Sequence, residues 1–197
     1  LPKTKPLLPL LEAVSNSIHA IEDAEVTDGR ISIRILRDID GSLALDEDAK
    51  GLVDVTGFEI TDNGKGFDDE NYASFETCDS RYKAARGAKG IGRLLWLKAF
   101  ADVRVSSNYR TFDGKPRLRN FTFALPEGVS EPSDIPCKGS TCQTTVRLGD
   151  YHKEYASQCP KKASTIADRL INHLVLNFLN TNAPQIELID DLEAEPI

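Results

Sequence analysis

Apolar residues near the start of the chain recur at helical steps. Leu11, Val14, Ile18 and Ile21 fall three or four positions apart, the spacing of one buried helical stripe. Pro6 and Pro9 stand where a first helical turn tolerates a residue without an N–H. The period then shortens to two. Ile31, Ile33 and Ile35 alternate with Ser32 and Arg34, which predicts a half-buried strand over 30–37. Asp38 to Gly51 is polar and acidic and reads as a surface loop. Val53, Val55, Phe58 and Ile60 predict a second strand over 53–61, ending at Asp62-Asn63-Gly64-Lys65-Gly66. Polar residues and glycine dominate from there to Gly92, which predicts a mobile segment, and Arg93 to Ala101 reads as a short apolar helix. Alternation around Val103 and Val105, around Phe121, Phe123 and Leu125, and over Thr144 to Leu148 predicts a meander of strands. An Asp113-Gly114 turn joins the first two, and Pro126 to Lys138 reads as a proline-bearing loop insertion. Ile166, Leu170, Leu174 and Phe178 mark a second amphipathic helix, and Ile186, Leu188 and Ile189 begin a last strand. This order predicts an α+β two-layer sandwich, a mixed and mostly antiparallel sheet with helices on one face.

Composition narrows the picture. The 197 residues are 40% hydrophobic and 28% charged, an ordinary globular balance. They are expected to form one domain over 1–182, with 183–197 as a terminal strand leading into a connection. With 24 basic and 31 acidic side chains the net charge is -7, which argues against the chain as a whole being a polyanion-binding surface. No apolar run approaches the roughly 20 residues that cross a bilayer, and no charged-then-apolar leader opens the chain. A cytoplasmic protein without a membrane partner is the expectation. Cys78, Cys137, Cys142 and Cys159 form no CxxC pair, so reduced free thiols are expected. With no methionine and an opening at Leu1, the chain is expected to be a piece of a longer protein.

Three constellations carry chemistry. Glu12, Asn16, His19 and Asp23 follow one another at steps of four, three and four along the first helix, which places them on one edge. A carboxylate one turn from an amide can orient or deprotonate a water while the amide oxygen ligates magnesium; seen alone, the pair reads as a solvated helix face. Asp62-Asn63-Gly64-Lys65-Gly66-Phe67 closes a strand. There the aspartate can accept a hydrogen bond from an exocyclic amine such as adenine's, and Gly64 and Gly66 allow a sharp turn close to a flat base. An Asn-Gly turn of no further purpose has the same sequence. Gly87-Ala88-Lys89-Gly90-Ile91-Gly92-Arg93 precedes a helix, so backbone amides and the helix start can receive phosphate oxygens. Between Asp79 and Asp102 there is no carboxylate, yet Arg81, Lys83, Arg86, Lys89, Arg93 and Lys98 all occur. No GK[ST] Walker loop and no Rossmann fingerprint are present.

In this order the three resemble the Bergerat-fold ATPases, the GHKL superfamily of gyrase B, the large heat-shock chaperone, sensor histidine kinases and MutL-type repair proteins. The resemblance spans roughly Leu8 to Leu148. It implies Glu12 as general base, Asn16 as magnesium ligand, Asp62 as adenine anchor, and Gly64 and Gly66 as shapers of the base pocket. It implies a phosphate grip from Gly87, Lys89, Gly90, Gly92 and Arg93 within a lid over about 67–92, with Phe67 and Ile91 completing the binding set. Thr144, in Gln143-Thr144-Thr145, would support Asp62; Gln143 replaces the usual glycine, which leaves Thr145 and Thr141 open as alternatives. His19 stands where several hydrolytic members have an aspartate, and Asp23 and Asn63 read as bystanders. ATP or ADP with magnesium are the implied ligands, and slow hydrolysis the implied activity, completed in relatives by a lysine from a following domain. The implied partners are downstream domains of the same chain and an ATP-dependent second copy. A histidine-kinase catalytic domain and an ATP-gated clamp without significant turnover are the alternatives, and neither a nucleic acid nor a protein client can be named.

Overall fold

In a computed structural model of the protein, the structure describes residues 1–38, 53–76, 92–126, 128–139, 141–179, 182–193 and 195–197. The first helix, α1 (Leu8–Asp23), takes Pro9 in its opening turn and buries Leu10, Leu11, Val14, Ile18 and Ile21. Strands β1 (Arg30–Arg37) and β2 (Val55–Asp62) follow, then helices α2 (Asp69–Glu76) and α3 (Gly92–Ala99). Next come β3 (Phe100–Arg110), β4 (Pro116–Ala124), β5 (Gly128–Pro136) and β6 (Gln143–Tyr151). A single turn, α4 (Lys153–Ala156), precedes α5 (Ala163–Leu174), and β7 (Gln185–Asp190) completes the sheet.

The strands form one sheet of order β5-β4-β3-β6-β2-β1-β7. The β1–β7 pair is parallel and the other neighbours are antiparallel, so the expected α+β architecture with a mixed, mostly antiparallel sheet is observed. Because side chains alternate across a sheet, the pairing register stacks like residues in transverse rows on one face. Ile33, Ile60, Val146, Val105 and Phe121 make one such row, and Ile35, Phe58, Leu148 and Val103 the next. These belong to a single buried cluster with the apolar sides of α1, α3 and α5. The opposite face carries Glu59, Thr61, Arg104, Thr145 and Arg147, none of them buried. Among the described residues no helix is long and apolar enough to cross a membrane. Cys137, Cys142 and Cys159 are free thiols, and Cys78 lies outside the described residues.

Several expectations need correction. The stretch read as a loop insertion contains β5, paired with β4 from Arg117↔Pro136 to Ala124↔Gly128. It is an edge strand with exposed residues on both sides, so it has no hydrophobic alternation to read. Its Pro132 sits at an irregularity between Asn120 and Thr122, next to Glu131 with φ 50, a place where an edge tolerates proline. The start of the segment expected to be mobile is α2, which buries only Phe75 and so gives almost no periodic signal. The apolar helix ends two residues early, with Phe100 and Ala101 beginning β3. Phe178 falls in a separate 3-10 turn, Asn177–Leu179, and is exposed. β7 joins the same sheet as the rest of the domain through β1.

Candidate nucleotide-binding cleft

One transverse row breaks the apolar pattern. At the end of β2, Asp62 pairs with Thr144 of β6, Thr144 pairs with Ser107 of β3, and Ser107 pairs with Arg119 of β4. All four are at least nine-tenths buried. With Ser17 of α1 they make up five of the six polar or charged residues that are buried as whole residues among the described ones, Asp190 being the sixth. Buried polar groups must find partners: Ser17 pairs with Asp62 and Ser107 with Thr144, while Arg119 finds its partners outside the row. Ser17 Oγ donates to Asp62 Oδ2 at 2.8 Å and the Gly64 amide donates to Asp62 Oδ1 at 2.9 Å. The Ser107 and Thr144 hydroxyls share a hydrogen bond at 2.9 Å, and Ser107 Oγ accepts the Phe67 amide at 2.9 Å. Burial pushes the Asp62 carboxyl up to about 6, against the opposing pull of the Gly64 amide and the Ser17 hydroxyl. An ionised carboxylate offers about four lone-pair positions, so two bonds leave it acceptor capacity toward the cleft it lines.

The register also separates the threonines by face. Thr144 faces the helices beside Asp62, whereas Thr145 pairs with Thr61 on the other face, their hydroxyls 3.0 Å apart; Thr141 precedes β6.

The turn after Asp62 is fixed against α1. A Cβ on Gly64 would lie 2.6 Å from the Ala20 carbonyl carbon and 2.8 Å from its oxygen, and the Lys65 amide donates to that oxygen at 2.9 Å. Close approach at this glycine is therefore to the helix; Gly64 itself does not line the cleft. Gly66, with φ +80, does line it and adopts a backbone conformation that L side chains rarely take. Asn63 turns away: it accepts from the Arg30 amide at 2.7 Å and donates to the Asp28 carbonyl at 3.1 Å, so it ties the turn to β1.

The opposite wall comes from α1 and α3. Glu12, Asn16 and Asp23 line the cleft with Ser17, while His19, half-buried, is not among the lining residues. Asp23, which reads as a bystander in sequence, is thus part of the wall. Gly92 opens α3 directly against Glu12; a Cβ there would overlap the Glu12 carboxylate. Arg93 also lines the cleft, its guanidinium 5.0 Å over the Phe75 ring. Phe67 closes the same side, its ring edge-on to Phe75 and Phe121 at 5.4 and 5.3 Å. Trp96 anchors α3 to the start of α1 by donating from Nε1 to the Pro9 carbonyl at 3.1 Å.

The structure therefore brings Glu12, Asn16, Asp62, Gly66, Phe67, Gly92, Arg93 and Thr144 to one cleft. Gly87, Lys89, Gly90 and Ile91 lie outside the described residues, as does most of the segment read as a lid. Ser17, Ser107 and Arg119 are absent from the sequence reading. A buried hydroxyl or guanidinium gives no periodic signal, and only the strand register reveals the polar row. Among the described residues, no group of three or more His, Cys, Asp or Glu side chains converges on a metal position.

In comparisons with known proteins, no protein-family model matches the chain and no curated protein matches it.

Proposed function

We propose that the cleft binds an adenine nucleotide with magnesium and that the domain hydrolyses ATP slowly, as a GHKL-type domain of Bergerat fold. The observation that carries this reading is Asp62. It is a carboxylate 4% exposed, held by two donors and facing the same cleft as Glu12, Asn16 and the start of α3. A buried acceptor of this kind suits an exocyclic amine, and a base lacking that donor leaves it unsatisfied. Thr144 stands beside it to complete the polar edge.

At the other end, Asn16 presents an amide oxygen able to ligate magnesium, one helical turn from the Glu12 carboxylate. Magnesium bridged to phosphates supplies charge neutralisation and needs few protein ligands. Glu12 orients or deprotonates the attacking water. Gly92 brings the start of α3, with its N–H groups, to the same place, where phosphate oxygens are favoured. In this reading Glu12 must move off Gly92 to admit them, which fits slow turnover.

The decisive experiment is calorimetric titration of the protein with magnesium and the β,γ-imido analogue of ATP, repeated on Asp62→Asn. Binding to the wild type and loss of binding in a folded variant are expected, because a donor then faces a donor. Equal affinity in both would remove Asp62 from the site.

A further inference from the structure

Arg119 is the most heavily partnered side chain of the polar row. Its Nη1 donates to the carbonyls of Phe67 and Asp68, both at 3.0 Å. Its Nη2 donates to Asp69 Oδ1 at 2.7 Å, to the Tyr109 hydroxyl at 2.8 Å and to Asp134 Oδ2 at 2.9 Å. The guanidinium carbon lies 4.6 Å from the centroid of the Tyr72 ring and 4.7 Å from that of Tyr109. One planar fork therefore joins β3, β4 and β5 to the chain that leaves the Asp62 turn and enters α2.

Stability alone does not call for such a residue. A buried cation is expensive to desolvate, and well-packed apolar residues of similar volume often serve the fold as well or better. Arg119 Nη1 serves two consecutive backbone carbonyls while Nη2 serves Asp69, Tyr109 and Asp134, a set of acceptors spread over two nitrogens of one rigid plane that a single ammonium does not reproduce. Those carbonyls belong to Phe67, which lines the cleft, and to Asp68; the adjoining Gly66 lines the cleft as well. The Phe67 amide is held from the other side by Ser107, whose hydroxyl is bonded to Thr144 beside Asp62.

We propose that Arg119 is a positioning residue for the base end of the cleft. It fixes the backbone at Phe67 and Asp68 so that Gly66 and Phe67 form the wall against which the nucleotide base lies. The inference rests on the nucleotide-binding reading above, and it assigns Arg119 to binding and not to the hydrolytic step at Glu12. Its removal loosens ligand binding and leaves turnover at saturation unaltered.

The test compares wild type, Arg119→Met and Arg119→Lys by titration with the imido analogue and magnesium, by steady-state ATP hydrolysis, and by hydrogen exchange of the ligand-free proteins. In Arg119→Met the dissociation constant is expected to rise about tenfold or more, equivalent to about 1.4 kcal/mol, while kcat stays within about twofold of wild type. Arg119→Lys, which keeps a cation beside the two rings, is expected to show a smaller rise with the same unchanged kcat. In both variants the Phe67 and Asn71 amides exchange faster than in wild type. A cooperatively folded variant with unchanged affinity overturns the proposal, as does a fall in kcat at unchanged affinity. If Arg119→Met does not fold, Arg119→Lys decides by the same criteria. If wild type binds no analogue, the ATP reading fails, and the exchange rates alone then decide whether Arg119 anchors this wall; unaltered exchange overturns the anchoring too.

Discussion

At neutral pH Asp62 carries its charge in a place nearly closed to water, and its pKa of about 6 measures what that costs. The unfolded chain binds this proton with a pKa near 3.8. Between those values the native state holds more protons than the unfolded one, so stability falls as pH rises through the window. Below the lower value the penalty is absent; above the upper it is complete, at about 3 kcal/mol. Asp62→Asn removes the titration while keeping an acceptor for Gly64 and a partner for Ser17. The variant is therefore expected to be more stable than wild type at pH 8, by up to about 3 kcal/mol, with the gap closing toward pH 4. Urea unfolding at both pH values checks this, and a gap independent of pH would mean that the carboxylate is not under strain. Nucleotide affinity should weaken in the same window as the acceptor becomes protonated. At the far end of the cleft, Glu12→Ala is expected to retain analogue binding while lowering phosphate release by about a hundredfold, within the range of a lost general base. An unaltered rate would assign the water to another group. Asp62, Glu12 and Asn16 were singled out in sequence by the resemblance that their three motifs carry together, and the structure brings them to one cleft. Ser17, Ser107 and Arg119 were not, since what brings them together is pairing between strands far apart in the chain.

Elements were legible wherever one face is buried and the other is not. β1, with Ile31, Ile33 and Ile35 buried between half-exposed neighbours, matches its predicted limits. The stripe of α1 and the start of the apolar helix α3 were equally plain. β5 escaped because an edge strand exposed on both sides has no period to detect, and α2 because Phe75 alone anchors it. Gly64 was legible as a turn residue, but its reason differs from the expected one: its neighbour is α1. Because the obstructing atoms belong to the Ala20 backbone, they cannot swing aside. Gly64→Val must push the helix and the turn apart, and a loss of about 2 kcal/mol is expected. Thermal unfolding followed by circular dichroism measures it; a melting temperature equal to wild type would show that the turn yields instead.

Across the whole molecule, the two parallel strands are locked by an ion pair that no local pattern announces. Arg37 donates from Nε to Asp190 Oδ1 at 2.9 Å and from Nη2 to Oδ2 at 2.6 Å, and the two side chains are only 2% and 3% exposed. The same guanidinium also reaches the carbonyls of Val53 and Lys161, so β1, β7, the approach to β2 and the approach to α5 meet on one group. Removing one member of such a pair leaves a charge buried without compensation, and Asp190→Ala is expected to cost about 3–5 kcal/mol. Denaturant unfolding reads that loss, and a change under about 1 kcal/mol would place the pair among those that contribute little. A partner 153 residues away is not something spacing can reveal, which is why α1, α3, α5 and most strands could be read from the chain and its long-range closure could not.

The bond from Lys65 to Ala20, with Gly64 packed beneath it, welds the tail of α1 to the hairpin end that bears Asp62. These two surfaces form one stiff jaw. On the proposed reading, room for a guest would have to come from the other contact of α1, where Gly92 of α3 meets Glu12.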